Sequence, residues 1–313
     1  MTMQQADPTK TLFAFGLGYS AQALAQRLKP RQWRTGGTVR SAEKARKLVA
    51  EGLDAHTFET ARSDNFPPSG HWLISVPPDA EGCPVFQSFG TEAARAASIT
   101  YLSTTGVYGD LGGGWAFEWT RPNPQSGRAR RRVLAETQWQ STGRPLRIVR
   151  LPGIYGPGRS PFDRLRAGTA QQIIKTGQVF SRIHVDDIAT GLEAMLLRPR
   201  ALGVFHLCDD APAPPENVIR FAAERLGLPA PDPVSFDSAA LSPMARSFYA
   251  ECKRISNARA KSALGWSPEY KNYKQGLIAI LDAEQNTASG SSAKGPEPHE
   301  SHRLPDRPAR ERD

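Results

Sequence analysis

A short apolar segment that runs into a glycine-rich turn limits most strongly what this chain can fold into. Residues 12–15 are apolar, and apolar positions at helical spacing follow the turn. The turn has the pattern Gly-x-Gly-x-x-Ala and consists of Gly16, Leu17, Gly18, Tyr19, Ser20 and Ala21. In a strand–turn–helix context, the first glycine permits the tight turn, the second lets a pyrophosphate approach backbone N–H groups, and the small third residue packs helix on strand. The pattern predicts a dinucleotide-binding turn. The alternative is a glycine turn that only packs.

The residues after the next predicted strand bear on which dinucleotide would bind. A loop that prefers NAD usually has an acidic residue about 20 positions on, which binds the ribose 2′-hydroxyl. Here Arg40 and Ser41 follow the strand, and the first acidic residue, Glu43, already lies in the next predicted helix. An arginine at this place pairs with a 2′-phosphate. We therefore expect NADP(H) to be favoured over NAD(H); the alternative is an exposed arginine that opens a helix.

Short apolar runs alternate with helix-patterned segments along most of the chain. The predicted order is strand 12–15, helix 21–28, strand 33–39, helix 42–50, strand 55–58, strand 72–76, helix 85–97, strand 99–103, helix 125–140 and strand 146–151. This alternation is typical of a parallel sheet covered on both faces. Beyond Pro152 the elements become shorter, with helix 187–197, strand 204–208 and helix 215–226. We predict an α/β fold: a Rossmann-type doubly wound parallel sheet with a smaller C-terminal substrate lobe.

Composition at the two ends sets the limits of the predicted folded body. Residues 1–10 are polar, and residues from 284 onward lack apolar periodicity while being rich in Pro, Ser, Gly and charges of both signs. Such segments cannot bury enough apolar surface to fold. The prediction is a disordered N-terminus (1–10), an NAD(P)-binding Rossmann domain (11–155), a mainly substrate-binding lobe (156–283) and a disordered tail (284–313).

Charge and cysteine content narrow the class of protein. The 313 residues include 40 Lys and Arg against 31 Asp and Glu, a net charge of +9, which fits a nucleic-acid binder or an enzyme of anionic ligands equally well. No stretch approaches the roughly 20 apolar residues that span a bilayer, and no secretory signal precedes the first strand. We expect a cytoplasmic protein with no membrane partner. The three cysteines, Cys83, Cys208 and Cys252, lack metal-ligand spacing, so no metal site is expected.

Three further motifs carry a resemblance to a known family. They are Ser103-Thr104-Thr105-Gly106-Val107-Tyr108-Gly109, Arg150-Leu151-Pro152-Gly153-Ile154-Tyr155-Gly156-Pro157-Gly158 and Ile183-His184-Val185-Asp186-Asp187. With FGLGYSA near the start and LGWSPEY near the end, the chain resembles the extended short-chain dehydrogenase/reductase superfamily over residues 11–282. Nucleotide-sugar epimerases and dehydratases belong to that superfamily. Within it, the chain is similar to an atypical bacterial group of NAD(P)-binding, epimerase-like proteins.

Active members of that superfamily carry Tyr-x-x-x-Lys on the helix after the glycine-rich loop, and this chain lacks the pair. One helical turn places both side chains on one face, where the lysine lowers the tyrosine pKa and the tyrosine transfers the proton. Aligned on the Ala-Glu ending of the helix, the tyrosine position is Arg128 and the lysine position is Arg132. An arginine stays protonated at any working pH, so Arg128 can bind an anion but cannot act as acid or base. Two other matches, Tyr249 with Lys253 and Tyr270 with Lys274, fall in the C-terminal lobe and are interpreted as coincidence.

The arginine-rich start of this helix admits three interpretations. At about 100° per residue, Arg128, Arg131 and Arg132 share one helix face while Arg130 points away. They would form a cationic wall facing the cofactor cleft, with Arg132 toward the cofactor and Arg128 toward an anionic substrate. A solvated helix face and a nucleic-acid patch are the alternatives.

The resemblance implies further site residues. Thr104 matches the hydroxyl that bonds the substrate oxygen, and His184 lies in a segment placed beside the substrate. Tyr108 is the predicted proton donor, because it shares a loop with Thr104 and the arginines would lower its pKa. Tyr155 and Arg254 are predicted substrate contacts, Arg254 in the region where relatives contact a substrate phosphate. Packing against the cofactor for Tyr108 and a surface position for Arg254 remain the alternatives.

Two function classes follow, with a third less favoured. The first is an NAD(P)-dependent oxidoreductase or epimerase-like enzyme that acts on a small anionic substrate, nucleotide sugars included, through a non-standard active site. The second is a catalytically silent NAD(P)-binding sensor or scaffold, which the missing pair motivates. A nucleic-acid binder is the third. A homodimer is compatible with either of the first two.

Overall fold

One parallel sheet of seven strands organises the chain. The computed structural model describes residues 10–67 and 69–292. The strands are β1 (Thr11–Phe15), β2 (Arg34–Val39), β3 (Asp54–Thr57), β4 (His71–Ile74), β5 (Ser98–Thr104), β6 (Trp115–Ala116), β7 (Leu146–Leu151), β8 (Gly153–Tyr155), β9 (Gln172–Ile174), β10 (Arg182–His184), β11 (Gly203–His206), β12 (Pro233–Ser235) and β13 (Arg254–Ile255). The helices are α1 (Tyr19–Leu28), α2 (Ala42–Ala50), α3 (Pro84–Phe89), α4 (Gly127–Gln140), α5 (Pro161–Arg166), α6 (Val185–Leu196), α7 (Pro215–Leu226), α8 (Pro243–Tyr249), α9 (Ala258–Leu264) and α10 (Tyr273–Ser292).

The strand order of the large sheet is β3-β2-β1-β4-β5-β7-β11, and every pairing is parallel. The carboxyl ends of the strands therefore share one edge. The chain order reverses between β1 and β4, and in open α/β sheets ligands bind in the crevice at such a switch point. This architecture confirms the predicted fold class.

Apolar residues fill both faces of the sheet. On one face, α1, α2, α6 and α9 cover a core that includes Leu12, Leu24 and Leu192. On the other face, Phe15, Phe66 and Trp72 pack edge to face with ring centroids 4.9 to 5.4 Å apart. Strands that are buried on both faces need apolar residues at every position. This is why β1 reads as a continuous apolar run rather than as an alternating pattern.

The predicted division of the chain at residue 155 is only approximate. Strand β11 pairs with β7 at the edge of the large sheet, and residues of α6 and α9 belong to the same core as α1. The smaller lobe keeps a core of its own, built by α5, α7 and the start of α10. The two lobes therefore share chain segments, and several residues after 155 support the nucleotide-binding half.

Two element boundaries differ from the prediction. The helix expected over 85–97 stops at Phe89, and a separate 3-10 turn, Glu92–Arg95, follows Gly90 and Thr91; glycine disfavours a helix interior by about 1 kcal/mol relative to alanine. The predicted start of the C-terminal tail, residue 284, is too early, since α10 continues to Ser292. The remaining tail and residues 1–9 lie outside the described residues. Among the described helices, none is both long and apolar enough to cross a membrane.

Candidate functional site

Three strands hold the glycine turn that follows β1. Gly16 has φ +92° and leaves no room for a side chain, because a Cβ would lie 2.7 Å from Ser75 Oγ. Its N–H donates to Thr38 Oγ1 at 3.0 Å, and Leu17 N–H donates to the Thr38 carbonyl at 2.7 Å. Ser75, just after β4, donates its hydroxyl to the Gly16 carbonyl. Thr38 and Ser75 were not predicted from the sequence; the only signal was a hydroxyl residue near the carboxyl end of each neighbouring strand.

The turn leads into an uncapped helix end. Gly18 occupies the N-cap position of α1, and no side chain caps this end of the helix. The first N–H groups of a helix carry partial positive charge and favour an anion. Leu17, Ser20 and Ala21 are buried against the sheet. The predicted pyrophosphate turn is thus assembled at the carboxyl edge of the sheet, as the motif requires.

Arg40 and Ser41 follow β2 at the same edge. Ser41 accepts a hydrogen bond from Lys44 N–H at 3.3 Å and caps α2. Arg40 is exposed, and its guanidinium makes no hydrogen bond or ion pair with any residue of the described part of the chain. It is therefore available to a ligand beside the glycine turn.

The arginines of α4 do not form the predicted wall. Arg132 turns inward and donates to the Leu102 carbonyl at 2.8 Å and to Tyr101 Oη at 3.2 Å. Arg128 is exposed and lies 4.7 Å from the ring centroid of Phe248 on α8. Arg131 donates to the Gly127 carbonyl of its own helix. Helical spacing predicts a shared face, but these long side chains each find a different partner.

Thr104 lies half-buried where β5 ends. Its hydroxyl accepts a hydrogen bond from Gly106 N–H at 3.2 Å and caps the 3-10 turn Thr105–Tyr108. The carboxyl edge thus brings Thr104 onto the same side of the sheet as the glycine turn and Arg40.

Tyr108 lies fully inside the protein, which corrects the prediction that its phenol is activated. Its Oη is 2.6 Å from His206 Nε2 and accepts a hydrogen bond from Arg150 Nη1 at 2.8 Å. His206 Nδ1 lies 2.9 Å from the Ser256 carbonyl, so Nδ1 carries the proton and Nε2 accepts from the phenol. Burial raises the pKa of Tyr108 to about 12 and outweighs the opposite effect of Arg150. The expected lowering of this pKa is therefore wrong.

Arg150 connects Tyr108 to a buried carboxylate. It donates to both carboxylate oxygens of Glu136 on α4, at 3.0 and 2.6 Å, and Ser103 donates to the same carboxylate at 2.6 Å. Pairing of this kind offsets the cost of burying a charge. A sequence signal for this buried ion pair exists: two arginines lie in the six-residue strand LRIVRL, which is almost wholly buried.

His184 and Tyr155 pack together in the smaller lobe, and their assignment to the substrate site stays a prediction. They are partners in the pairing of β10 with β8, and their rings make an edge contact at 5.2 Å. His184 Nδ1 accepts from Asp186 N–H at 3.3 Å and caps α6, and burial lowers its pKa, so the ring is neutral. Tyr155 lies under α10, and burial raises the pKa of its phenol. Both side chains are buried, and among the described residues neither Tyr155 Oη nor His184 Nε2 has a hydrogen-bond partner.

Arg254 and Lys253 tie the glycine-rich loop after β5 to the second lobe. Arg254 donates to the Gly113 carbonyl, and β13 pairs with β6. Lys253 Nζ donates to the Gly109 carbonyl at 2.7 Å. Because α8 ends at Tyr249, Tyr249 and Lys253 do not share a helix face, and the motif match has no catalytic geometry. Arg254 therefore holds a loop in place, and a phosphate contact for it stays a prediction.

Curated proteins give two partial relatives, and no protein-family model matches the chain. The chain is 31% identical over 141 residues to a 3-diazoavenalumate denitrifying reductase from Streptomyces, covering 42% of this chain and 45% of the relative. It therefore spans less than half the length of that reductase. It is 26% identical over 243 residues to Protein YeeZ from Escherichia coli K12, covering 71% of this chain and 86% of YeeZ.

Solved structures match nearly the whole fold. A functionally unknown conserved protein from Silicibacter pomeroyi is 46% identical, with a TM-score of 0.84 over 87% of this chain and 98% of that chain. A candidate NAD-dependent epimerase/dehydratase from Methylobacillus flagellatus is 24% identical, with a TM-score of 0.69 over 89% and 100%. Two more distant structures are MoeE5 with UDP-glucose and NAD (16% identity, TM-score 0.69, 89% and 99% covered) and a human epimerase family protein with NADPH (15%, 0.68, 87% and 99%).

The seven-stranded fold is that of the extended short-chain dehydrogenases/reductases of the epimerase/dehydratase-like type. The chain belongs to the family of the Silicibacter protein, with which it shares nearly half of its aligned residues. The fold expected from the resemblance is confirmed.

Proposed function

We propose that the protein is an NAD(P)-dependent oxidoreductase that reduces a small anionic substrate. The observation that carries this proposal is the glycine turn, which β1, β2 and β4 hold open at the uncapped end of α1. Rossmann-type sheets bind the pyrophosphate of a dinucleotide at such an end. Structures of this fold that were solved with NAD and with NADPH agree with a nicotinamide cofactor.

NADP(H) is the cofactor we favour. Arg40 stands at the end of β2 with an unpaired guanidinium, and among residues 36–42 it is the only charged residue. A planar guanidinium matches the geometry of a phosphate. NADP carries a 2′-phosphate at this place, whereas NAD offers a hydroxyl that an acidic residue would bind.

The side chains near the cleft favour reduction over epimerisation. Epimerisation through a keto intermediate needs a group that takes a hydroxyl proton and returns it. Arg128 and Arg132 cannot do so, and the predicted donor Tyr108 is buried, as are Tyr155 and His184. We therefore infer a substrate that accepts hydride without a proton from the protein. Thr104, at the end of β5, would bind and orient that substrate through its hydroxyl.

A diazo-derived arene is an example of such an acceptor. A dihydronicotinamide held at the glycine turn would supply hydride to the ring carbon of an aryl diazonium ion, where a C–H bond would replace the C–N bond and dinitrogen would leave with the electron pair of the C–N bond. The charges balance, and no proton is needed. The name of the Streptomyces relative, a denitrifying reductase of a diazo compound, agrees with this class. Nucleotide sugars, one of which MoeE5 holds, are the competing substrate class.

The test is NADPH oxidation with purified protein across a panel of acceptors. The panel contains aryl diazonium carboxylates, keto acids and UDP-sugars, with absorbance at 340 nm as the readout and protein-free mixtures as controls. Turnover with a diazonium acid and not with UDP-sugars supports the proposal. Turnover with UDP-sugars alone would contradict the inferred reaction type.

A catalytically silent dinucleotide sensor is the second candidate. The burial of Tyr108, Tyr155 and His184 favours it, because the Tyr108 phenol is hydrogen-bonded to His206 and the rings of Tyr155 and His184 pack on each other. Saturable NADPH binding without oxidation across the whole panel would select this candidate. Binding of neither cofactor would contradict both.

A further inference from the structure

Tyr19, the first residue of α1, reaches across the cleft to the second lobe. Its Oη donates to the Pro157 carbonyl at 2.9 Å, in the turn that follows β8. Gly156 makes this close approach possible: a Cβ there would overlap Tyr19 Oη and lie 2.7 Å from Val185 Cγ1. The turn over residues 156–159 therefore packs against the phenol of Tyr19, the first residue of α1.

The same turn brings an arginine to this place. The Arg159 guanidinium lies 6.0 Å from the centroid of the Tyr19 ring. Arg159 is exposed, and within residues 10–67 and 69–292 it has no hydrogen-bonded or ion-paired partner for its side chain. The glycine turn, residues 16–21, has no charged residue of its own. Arg159 is thus the cation that faces the N-terminal residue of the pyrophosphate-binding helix.

Two carboxylates also lie near Tyr19. Asp163 accepts from Ser160 N–H at 3.4 Å in the capping box of α5, and Asp186 lies 3.6 Å from His184 Nδ1. Burial raises the pKa of Tyr19 to about 12; the two carboxylates add to the shift, and Arg159 opposes it. The phenol therefore stays protonated at neutral pH and keeps donating to Pro157. Asp163 caps α5, Asp186 lies in the first turn of α6, and neither carboxylate forms an ion pair with Arg159 in the described part of the chain.

We propose that Tyr19 and Arg159 form a clasp over the pyrophosphate of the bound dinucleotide, with Arg159 as its cation and Tyr19 as the latch that holds the 156–159 turn in place. The clasp rests on the proposed cofactor site and adds to it. An arginine fork binds phosphate oxygens in a bidentate manner. A hydrogen bond between the two lobes has to open before the cofactor can leave.

The test compares NADPH and NADH, which carry the same pyrophosphate. Arg159→Gln should raise the Kd of both cofactors by a similar factor, about tenfold, as expected for loss of a hydrogen bond to a charged group. Arg159→Lys should restore part of the affinity. Tyr19→Phe should raise the dissociation rate of both cofactors, measured by stopped-flow fluorescence, more than it lowers the association rate. Arg225→Gln, an exposed arginine on α7, is the matched control, and melting curves check the fold of each variant.

Several results would overturn the clasp. If the Arg159→Gln variant binds both cofactors with a Kd within twofold of wild type, Arg159 does not contact the pyrophosphate. A loss confined to NADPH assigns Arg159 to the 2′-phosphate, and a change confined to substrate KM assigns it to the substrate. If both cofactors dissociate from the Tyr19→Phe variant at the wild-type rate, Tyr19 does not act as the latch. Wild-type protein that binds neither cofactor contradicts the proposed function, and the clasp fails with it; wild-type binding with unaffected variants contradicts the clasp alone.

Discussion

Arg40 carries the proposed preference for NADP(H). Its charge is exposed at the carboxyl end of β2 and has no partner in the part of the chain that the structure describes. Arg40→Asp should weaken NADPH binding by about 2 kcal/mol, or roughly 30-fold, because a charged hydrogen bond is lost. NADH affinity should stay within twofold. Isothermal titration measures both, and Arg46→Asp, an exposed site on α2 with the same charge change, is the control. Equal losses of affinity for NADPH and NADH would contradict the assignment of Arg40 to the 2′-phosphate.

Asp209 makes stability depend on pH. Its side chain is buried, and Oδ2 has no hydrogen-bond partner among the described residues. Burial raises its pKa to about 7, opposed by the Ala211 N–H and by Arg182. Since the unfolded pKa is about 3.9, the folded state holds the proton more tightly. Its contribution to stability is fully present below pH ~4 and is lost as pH rises through about 7.

Asp209→Asn removes this ionisation. The difference in Tm between Asp209→Asn and wild type should therefore become more favourable to the variant between pH 5 and pH 8, by several degrees. Asp237→Asn, an exposed site, should show no such trend. A constant difference across this range would mean that Asp209 does not titrate in the folded protein.

At the residue scale, the sequence predicted the residues whose role depends on local backbone geometry. Gly16 and Gly18 can be predicted from their spacing alone, because a tight turn between a strand and a helix favours glycine at these positions. The direction of the Tyr108 pKa shift was predicted wrongly because the environment of its phenol comes from strands and helices far along the chain. His206, for example, is 98 residues from the phenol that it binds. Burial of this kind determines the pKa of a side chain, and the local sequence pattern does not reveal that burial.

The docking of α10 depends on a glycine. Gly276 lies against Tyr155, and a Cβ there would overlap the phenol and lie 2.7 Å from the ring carbons Cζ and Cε2. Because Tyr155 is buried and cannot swing away, Gly276→Ala should destabilise the fold by about 2 kcal/mol, a typical cost of overpacking. Gly127→Ala in the first turn of α4, where a Cβ meets nothing closer than 3.9 Å, is the control. Denaturant unfolding that gives equal stabilities for the two variants would contradict the packing of α10 on β8.

At the element scale, strong periodicity gave the right bounds and weak periodicity did not. Helix 42–50, strand 146–151 and helix 215–226 have the same bounds as α2, β7 and α7. The helix expected over 85–97 ends at Phe89. Apolar residues continue beyond Gly90, but the α-helical conformation of the backbone does not. The end of α10 was placed too early because its last turns lack an apolar stripe, and helix propensity in exposed positions is a weak signal.

At the scale of the whole molecule, the C-terminal residues should contribute little to stability. The segment 293–313 is rich in Pro and charged residues, a composition that cannot form a packed core. Glu284 pairs with Arg166 at 2.5 Å, so the truncation should leave α10 intact. Deletion of 293–313 should change Tm by no more than about 2 °C. A fall of several degrees in calorimetry would show that this segment docks on the fold.

Dinucleotide binding at the glycine turn is the central claim, and a titration with NADPH tests it most directly. Gly18 has φ −86°, and a Cβ there would meet only the Gly16 carbonyl, at 3.9 Å. Gly18→Ala should therefore fold normally, with Tm within about 2 °C, while the added methyl keeps the pyrophosphate from the backbone. We predict saturable binding of NADPH to wild-type protein by fluorescence, and affinity at least tenfold lower for Gly18→Ala, equivalent to about 1.4 kcal/mol. Wild-type protein without saturable binding, or a Gly18→Ala variant that binds as tightly, would contradict the assignment.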